Sequence, residues 1–160
     1  MSELNGLLQR LSESGIEFVV VGGVAAVLHG SSMVTRDLDV CANLNGENLQ
    51  KLRDALRDLH PVHRIGPARH SFLETPEPGA SLNNLYLQTD LGALDLLGSI
   101  TGIGDFDQVR KSAVQIELFG SKVMVLALEP LIKAKEAVGR QKDLLAATEL
   151  RAIAVRKPEK

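Results

Sequence analysis

The chain has 160 residues, 44% hydrophobic and 24% charged, with a formal net charge of −2; that is enough apolar material for one buried core and argues against a strongly basic nucleic-acid binder. The longest apolar run, Phe18 to Leu28, is broken by Gly22 and Gly23 and falls short of the roughly 18 to 20 residues of a membrane span; the opening residues also lack the pattern of a secretory leader, so a cytoplasmic protein without membrane partners is expected. The single cysteine, Cys41, can neither close an internal disulfide nor build a structural zinc site, and is expected to be a small core residue.

In chain order, Leu4, Leu7, Leu8 and Leu11 recur at helical spacing and Gly15 closes the pattern, predicting an amphipathic first helix. Ile16 to Val21 is β-branched and aromatic on both faces, the signature of a buried strand. A short Ala-rich helix follows from Gly23 to Gly30, then a strand over Asp37 to Ala42. Asn45 to Leu59 carries leucines on one side and charges on the other, predicting a helix. Between His60 and Ser81 the pattern weakens and four of the six prolines occur; short strands joined by loops are expected there. Leu82 to Leu87, Ala93 to Leu97, Ala113 to Leu118 and Lys122 to Val125 read as the remaining strands, separated by turn residues such as Gly98, Gly104 and Phe119-Gly-Ser. Pro130 marks the first turn of a helix, Gly139 interrupts or ends it, and a last helix runs from about Asp143 towards Val155. This order predicts one α+β or mixed α/β domain over residues 1–160, with a core of about 16–126 and a helical segment of about 128–156.

The chemistry concentrates in Gly22-Gly23, a short helix, and Asp37-Leu-Asp39 on the next strand. Side chains alternate along a strand, so Asp37 and Asp39 share one face while Leu38 enters the core. Two adjacent carboxylates repel unless a cation sits between them, and magnesium takes oxygen ligands from one or two carboxylates plus substrate phosphates. Gly22 and Gly23 permit close approach of backbone N–H groups to a triphosphate at the start of a helix. Although their pairing with Asp37 and Asp39 is suggestive, the two glycines match neither a dinucleotide fingerprint nor a P-loop. Asp95, in phase with Ala93 and Leu97, is the candidate third carboxylate, as metal ligand or general base of a two-metal site; Asp90 in the preceding turn competes for that role. Lys135 falls on the stripe of Leu128, Leu131, Ile132 and Val138, where a leucine is expected, and Arg140 and Lys142 follow at the helix break. These three cations can neutralise a triphosphate or hold a polyanionic acceptor.

These segments carry a family resemblance. Val21-Gly-Gly-Val-Ala-Ala-Val-Leu-His-Gly30, Thr35-Arg-Asp-Leu-Asp-Val40, Leu94-Asp-Leu-Leu97, Leu131-Ile-Lys-Ala-Lys135 and Gly139-Arg-Gln-Lys-Asp143 resemble a minimal nucleotidyltransferase of the polymerase-beta-like superfamily. The likeness extends to the small bacterial members of toxin–antitoxin and abortive-infection systems. It implies a mixed sheet with flanking helices, magnesium held by Asp37, Asp39 and Asp95, and transfer of a nucleoside monophosphate from an NTP to a hydroxyl. The chain departs from the pattern at Gly23, where many members carry a serine that contacts phosphate.

Residues 133–160 hold eight Lys/Arg against four Asp/Glu, so tRNA leads the expected acceptors, with a protein hydroxyl or an aminoglycoside-like molecule as alternatives. A cognate antitoxin is a further expected partner, and the competing reading is a catalytically degenerate fold that only binds nucleotide or a partner. Only one Tyr and no Trp are present, so stacking platforms for single strands are not expected. His29 is read as structural, His60, His63 and His70 lack ligand spacing, and Arg36 is a candidate partner of the acidic cluster. Arg151, Arg156, Lys157 and Lys160 are read as a solvated face.

Overall fold

The computed structural model describes residues 2–118 and 120–156. Its elements, in chain order, are α1 (Ser2–Glu13), β1 (Phe18–Val21), α2 (Gly22–Leu28), β2 (Asp37–Ala42), α3 (Gly46–Leu56) extended by a 3₁₀ turn (Arg57–Leu59), β3 (Val62–His63), β4 (Asn84–Thr89), β5 (Gly92–Leu97), β6 (Ser99–Ile100), β7 (Gly104–Asp105), α4 (Phe106–Lys111), β8 (Ala113–Leu118), β9 (Ser121–Leu126), α5 (Leu128–Val138) and α6 (Gln141–Arg156).

Seven strands form a mixed sheet in the order β3-β4-β5-β2-β1-β9-β8, and β6 pairs with β7 in a separate ribbon. β2 runs parallel to β5 and β1 parallel to β9, while the other neighbours in the large sheet are antiparallel. This is the expected α+β architecture. Leu38, Val40, Leu94, Leu96, Leu85 and Leu87 alternate onto one face of β2, β5 and β4 and are at most 2% exposed. The leucine stripes of α1 and α3, including Leu7, Leu11, Leu49 and Leu52, complete that core, which is the dominant stabilising element. With those leucines inward, the alternate positions of the same strands face the other way. Cys41 is fully buried, as expected, and burial pushes its thiol up to about 12.

Local chemistry sets the boundaries. Asn45 caps α3 by accepting from the Asn48 N–H at 2.8 Å, and Gly139 ends α5 in the left-handed region at φ 75°. Pro130 lies in the first turn of α5, where its missing N–H costs no helical bond. The segment expected to hold short strands contains only β3 and a single bridge between Val62 and Ser71. Arg53, 3% exposed, organises much of the rest by donating from Nε to the Phe72 carbonyl at 3.1 Å and from Nη2 to the Pro76 carbonyl at 2.6 Å. The helix α4 was not expected from the sequence. Among the described residues no helix is long and apolar enough to cross a membrane. Lys157, Lys160 and the Phe119 position of the predicted turn lie outside the described residues.

Candidate active site

The face opposite the leucines carries the acidic residues, and strand register brings them into one row. Val21 is opposite Asp39 across β1–β2, Asp39 is opposite Asp95 across the parallel β2–β5 pair, and Asp95 is opposite Tyr86 across β5–β4. Partners in register share a face, so Val21, Asp39, Asp95 and Tyr86 lie side by side, with Asp37 two residues away on β2. Immediately after Val21 the chain turns into α2 through Gly22, whose φ of 65° favours glycine. A Cβ at Gly22 would collide with the Asp39 carboxylate and lie 3.0 Å from Asp39 Cβ. The turn is therefore pressed directly against the carboxylate. We expect Gly22→Ala to cost about 1 to 3 kcal/mol through backbone strain and to displace Asp39; thermal denaturation and nucleotide titration would read the two effects, and an unchanged melting temperature would contradict this packing.

Gly23 has a different reason. A Cβ there would lie 2.5 Å from Thr35 Oγ1 and 2.9 Å from Thr35 Cβ. The Thr35 side chain fills the space into which a serine would project, and its hydroxyl donates to the Asp37 carbonyl at 3.2 Å. The departure at Gly23 is thus matched by a side chain from the loop before β2, and Thr35 shapes the entry to that strand.

Gly22, Gly23, Asp37 and Asp39 line one side of a cleft of about 450 Å³, and Lys135, Arg140 and Lys142 from α5 and α6 line the other. Asp95 sits beyond Asp39 rather than in the cleft wall, half-buried and ion-paired with Arg64. Asp90 is separate: it occupies the β4–β5 turn and contacts His60 Nδ1 at 2.6 Å. Arg36 lines the cleft but is exposed. His29 is buried, and its Nε2 lies 2.8 Å from the Leu126 carbonyl, joining α2 to β9. Val138, expected on the apolar stripe of α5, is instead 47% exposed, because α5 ends there and its last turn reaches the cleft mouth.

The electrostatics of the two walls are complementary. Burial, followed by repulsion from Asp95 and Asp37, pushes Asp39 up to about 7, with Lys135 and Arg64 acting in the opposite direction. Burial also raises Asp95, against the hydrogen bond from Arg64. Across the cleft, burial lowers Lys135 despite the attraction of Asp143 and Asp39. Both walls hold charges that desolvation disfavours, so each would be stabilised by an opposite charge brought by a ligand. Arg140 is already committed: its Nε donates to Asp143 at 2.6 Å. Lys135 closes no such ion pair among the described residues.

Asp39 Oδ1 is buried with no hydrogen-bond partner among the described residues. A buried carboxylate oxygen without a donor is costly, and a hard cation satisfies it; the all-oxygen donor set of Asp37, Asp39 and Asp95 fits magnesium. As the side chains stand, no three His, Cys, Asp or Glu groups among the described residues are gathered closely enough to hold a metal; Asp95 is turned onto Arg64 instead.

Arg64, Tyr86 and the rim are additions that the sequence did not lead us to expect. Tyr86 was legible from alternation, since Leu85 and Leu87 point inward on either side of it. Arg64 gave no local signal. The rim carries Met33 and Val34, 43% and 90% exposed, on a loop clipped to α6 by Glu149, which accepts from Ser31 Oγ at 2.5 Å, Ser32 N at 3.2 Å and Ser32 Oγ at 2.7 Å.

No protein-family model matches the chain, and no curated protein matches it by sequence. Solved structures do match. The lincosamide antibiotic adenylyltransferase LnuA, in a lincomycin-bound crystal structure, is 18% identical with a TM-score of 0.65 over 96% of this chain and 97% of its own. An antigenic nucleotidyltransferase-like protein from Paracoccidioides brasiliensis is 16% identical with a TM-score of 0.60 over 99% of this chain and 77% of its own. The antibiotic-resistance factor ANT(2'')-Ia, in solution, is 14% identical with a TM-score of 0.58 over 96% and 83%. The chain is built on the fold that these proteins share.

Proposed function

We propose that this chain is a magnesium-dependent nucleotidyltransferase that moves a nucleoside monophosphate from an NTP to a hydroxyl. The observation that carries this reading is the in-register pair Asp39 and Asp95 beside the Gly22 turn, with Asp39 Oδ1 lacking a donor. Asp37, Asp39 and Asp95 would hold one or two magnesium ions, which supply charge neutralisation at the phosphates and lower the cost of an attacking alkoxide. Gly22 and Gly23, on the cleft wall beside Asp39, would turn backbone N–H groups towards the triphosphate. Lys135, with Lys142 at the rim, offsets its negative charge. The acceptor oxygen bonds to the α-phosphorus, the bond to the bridging oxygen breaks in line, and pyrophosphate departs; Asp95 serves as ligand or takes the hydroxyl proton.

For the acceptor we favour a small molecule over tRNA. Two basic residues of the C-terminal segment are spent on internal ion pairs, Arg140 with Asp143 at 2.6 Å and Arg151 with Glu136 at 2.7 Å, while the cleft mouth presents exposed Met33, Val34 and Val138. An apolar rim suits a compact, partly apolar molecule better than a phosphate backbone. The similarity to LnuA over nearly the whole of both chains supports the same direction.

The test is a transfer assay with labelled NTPs and magnesium against lincosamides, aminoglycosides, tRNA and a protein fraction, with Asp37→Ala as control. We expect acceptor-dependent label transfer and pyrophosphate release, both lost in Asp37→Ala. No transfer to any acceptor, with calorimetric binding of NTP intact, would leave the degenerate binding fold as the correct description.

A further inference from the structure

Arg64 stands where the site meets the edge of the sheet. It follows β3 directly, its backbone N–H donates to the Tyr86 carbonyl at 2.9 Å, and its guanidinium lies 5.9 Å from the Tyr86 ring centroid. From there Nη2 donates to Asp95 Oδ1. The pair is largely withdrawn from water, with side-chain exposures of 25% for Arg64 and 18% for Asp95, so it is not a screened surface contact. A guanidinium and a divalent cation bind the same carboxylate oxygens, and both cannot have them at once. The neighbouring Asp39 Oδ1 has no donor among the described residues, so the arginine satisfies one carboxylate of the row and leaves the next open.

We propose that Arg64 is a displaceable internal counter-ion, a positioning residue that holds Asp95 away from the metal until a cation arriving with the nucleotide takes its place. This rests on the reading of Asp95 as a metal ligand. Without nucleotide, the protein offers a cation only Asp37 and Asp39. When the cation comes with a triphosphate, the added phosphate ligands and the charge of Lys135 favour the assembled site, and Asp95 exchanges its guanidinium for the metal. The row then closes across β2 and β5, and Arg64 remains over Tyr86 on the far side of Asp95. The order of binding is thereby built into the chain: metal with nucleotide, not metal alone.

The probe is Mn²⁺, titrated calorimetrically and by the loss of its free paramagnetic resonance signal, against wild type, Arg64→Gln and Arg64→Lys, without and with a non-hydrolysable NTP analogue. In the absence of the analogue, Arg64→Gln is expected to bind Mn²⁺ about tenfold or more tightly than wild type, by analogy with the size of effects at residues that orient metal ligands. Arg64→Lys keeps the competing charge and stays near wild type. With the analogue both proteins bind Mn²⁺ more tightly, and Arg64→Gln keeps its advantage, because wild type still has to break the Arg64–Asp95 pair. A second measurement needs only the wild-type fold: the Arg64 Nε–H resonance, assigned by its loss in Arg64→Lys, should shift and exchange faster with water when Mg²⁺ and analogue are added. Equal Mn²⁺ affinity in wild type and Arg64→Gln, or an Arg64 resonance indifferent to Mg²⁺ and analogue, overturns the counter-ion role alone. Failure of every variant to bind Mn²⁺ even with the analogue overturns the metal reading of the site together with it.

Discussion

Asp39→Asn is expected to raise the melting temperature of the ligand-free protein at about pH 8 while reducing nucleotidyl transfer by about 10²- to 10³-fold or more. The two effects have one cause. Burial and the neighbouring Asp95 and Asp37 hold the Asp39 carboxyl up to about 7, from an ordinary 3.8. The folded state therefore takes up a proton that the unfolded chain does not bind between those values. The stability associated with this group is fully present below the unfolded value and is lost as pH rises through the folded one. Above about pH 7 the penalty approaches at most about 4 kcal/mol, because each tenfold change in proton affinity is worth about 1.4 kcal/mol. Asparagine has nearly the same shape and no charge to desolvate. Differential scanning at about pH 5 and about pH 8 would show a gap between variant and wild type that is wide at the higher pH and narrow at the lower, amounting to several degrees for a chain of this size. An equal gap at both pH values would contradict the charge-burial explanation. Magnesium with an NTP analogue should stabilise wild type at about pH 8 and leave the variant nearly unmoved.

Lys135→Met should weaken binding of a magnesium–NTP analogue by roughly 10- to 100-fold, the range of about 1.5 to 3 kcal/mol expected for a hydrogen bond to a charged group. Lys135 is half-buried in α5 between Leu131, Ile132 and Ala134, and it lines the cleft opposite Gly22 and Asp39. Burial lowers its pKa, while Asp143 and Asp39 partly restore it. A polyanion beside it would hold it charged. Methionine keeps the length and packing of the stem, so the fold should survive and the loss should appear in affinity. Isothermal titration calorimetry reads this directly; an unchanged dissociation constant would remove Lys135 from the nucleotide wall.

The first carboxylate pair was readable from the chain because it lies within one strand. The alternation of Asp37, Leu38 and Asp39 fixes both strand and face, and β2 begins and ends where the sequence places it. Lys135 was readable as an interruption of an apolar stripe. The end of α5 was marked by Gly139. What failed to show was non-local. Arg64 becomes part of the site only because β3 adds to the edge beside β4 and β5, and no spacing within residues 60–70 encodes that neighbour. The helix α4 was missed although a signal exists: Asp105 and Gln108 form a reciprocal capping box at its start, but six residues are too few for a hydrophobic period. The disagreement over the proline-rich segment has a similar origin, since its carbonyls are satisfied by the distant Arg53 rather than by strand partners.

The row of Asp39 opposite Asp95 also guards the accuracy of folding. Were β5 to pair with β2 one residue out of place, its alternating faces would exchange, and Asp95 would enter the layer of Leu38, Val40 and Leu85 while Leu94 and Leu96 met water. Such a misaligned sheet would bury a charge among leucines and forfeit their burial together, so the arrangement that assembles the carboxylates is also the one in which the chain can be stable.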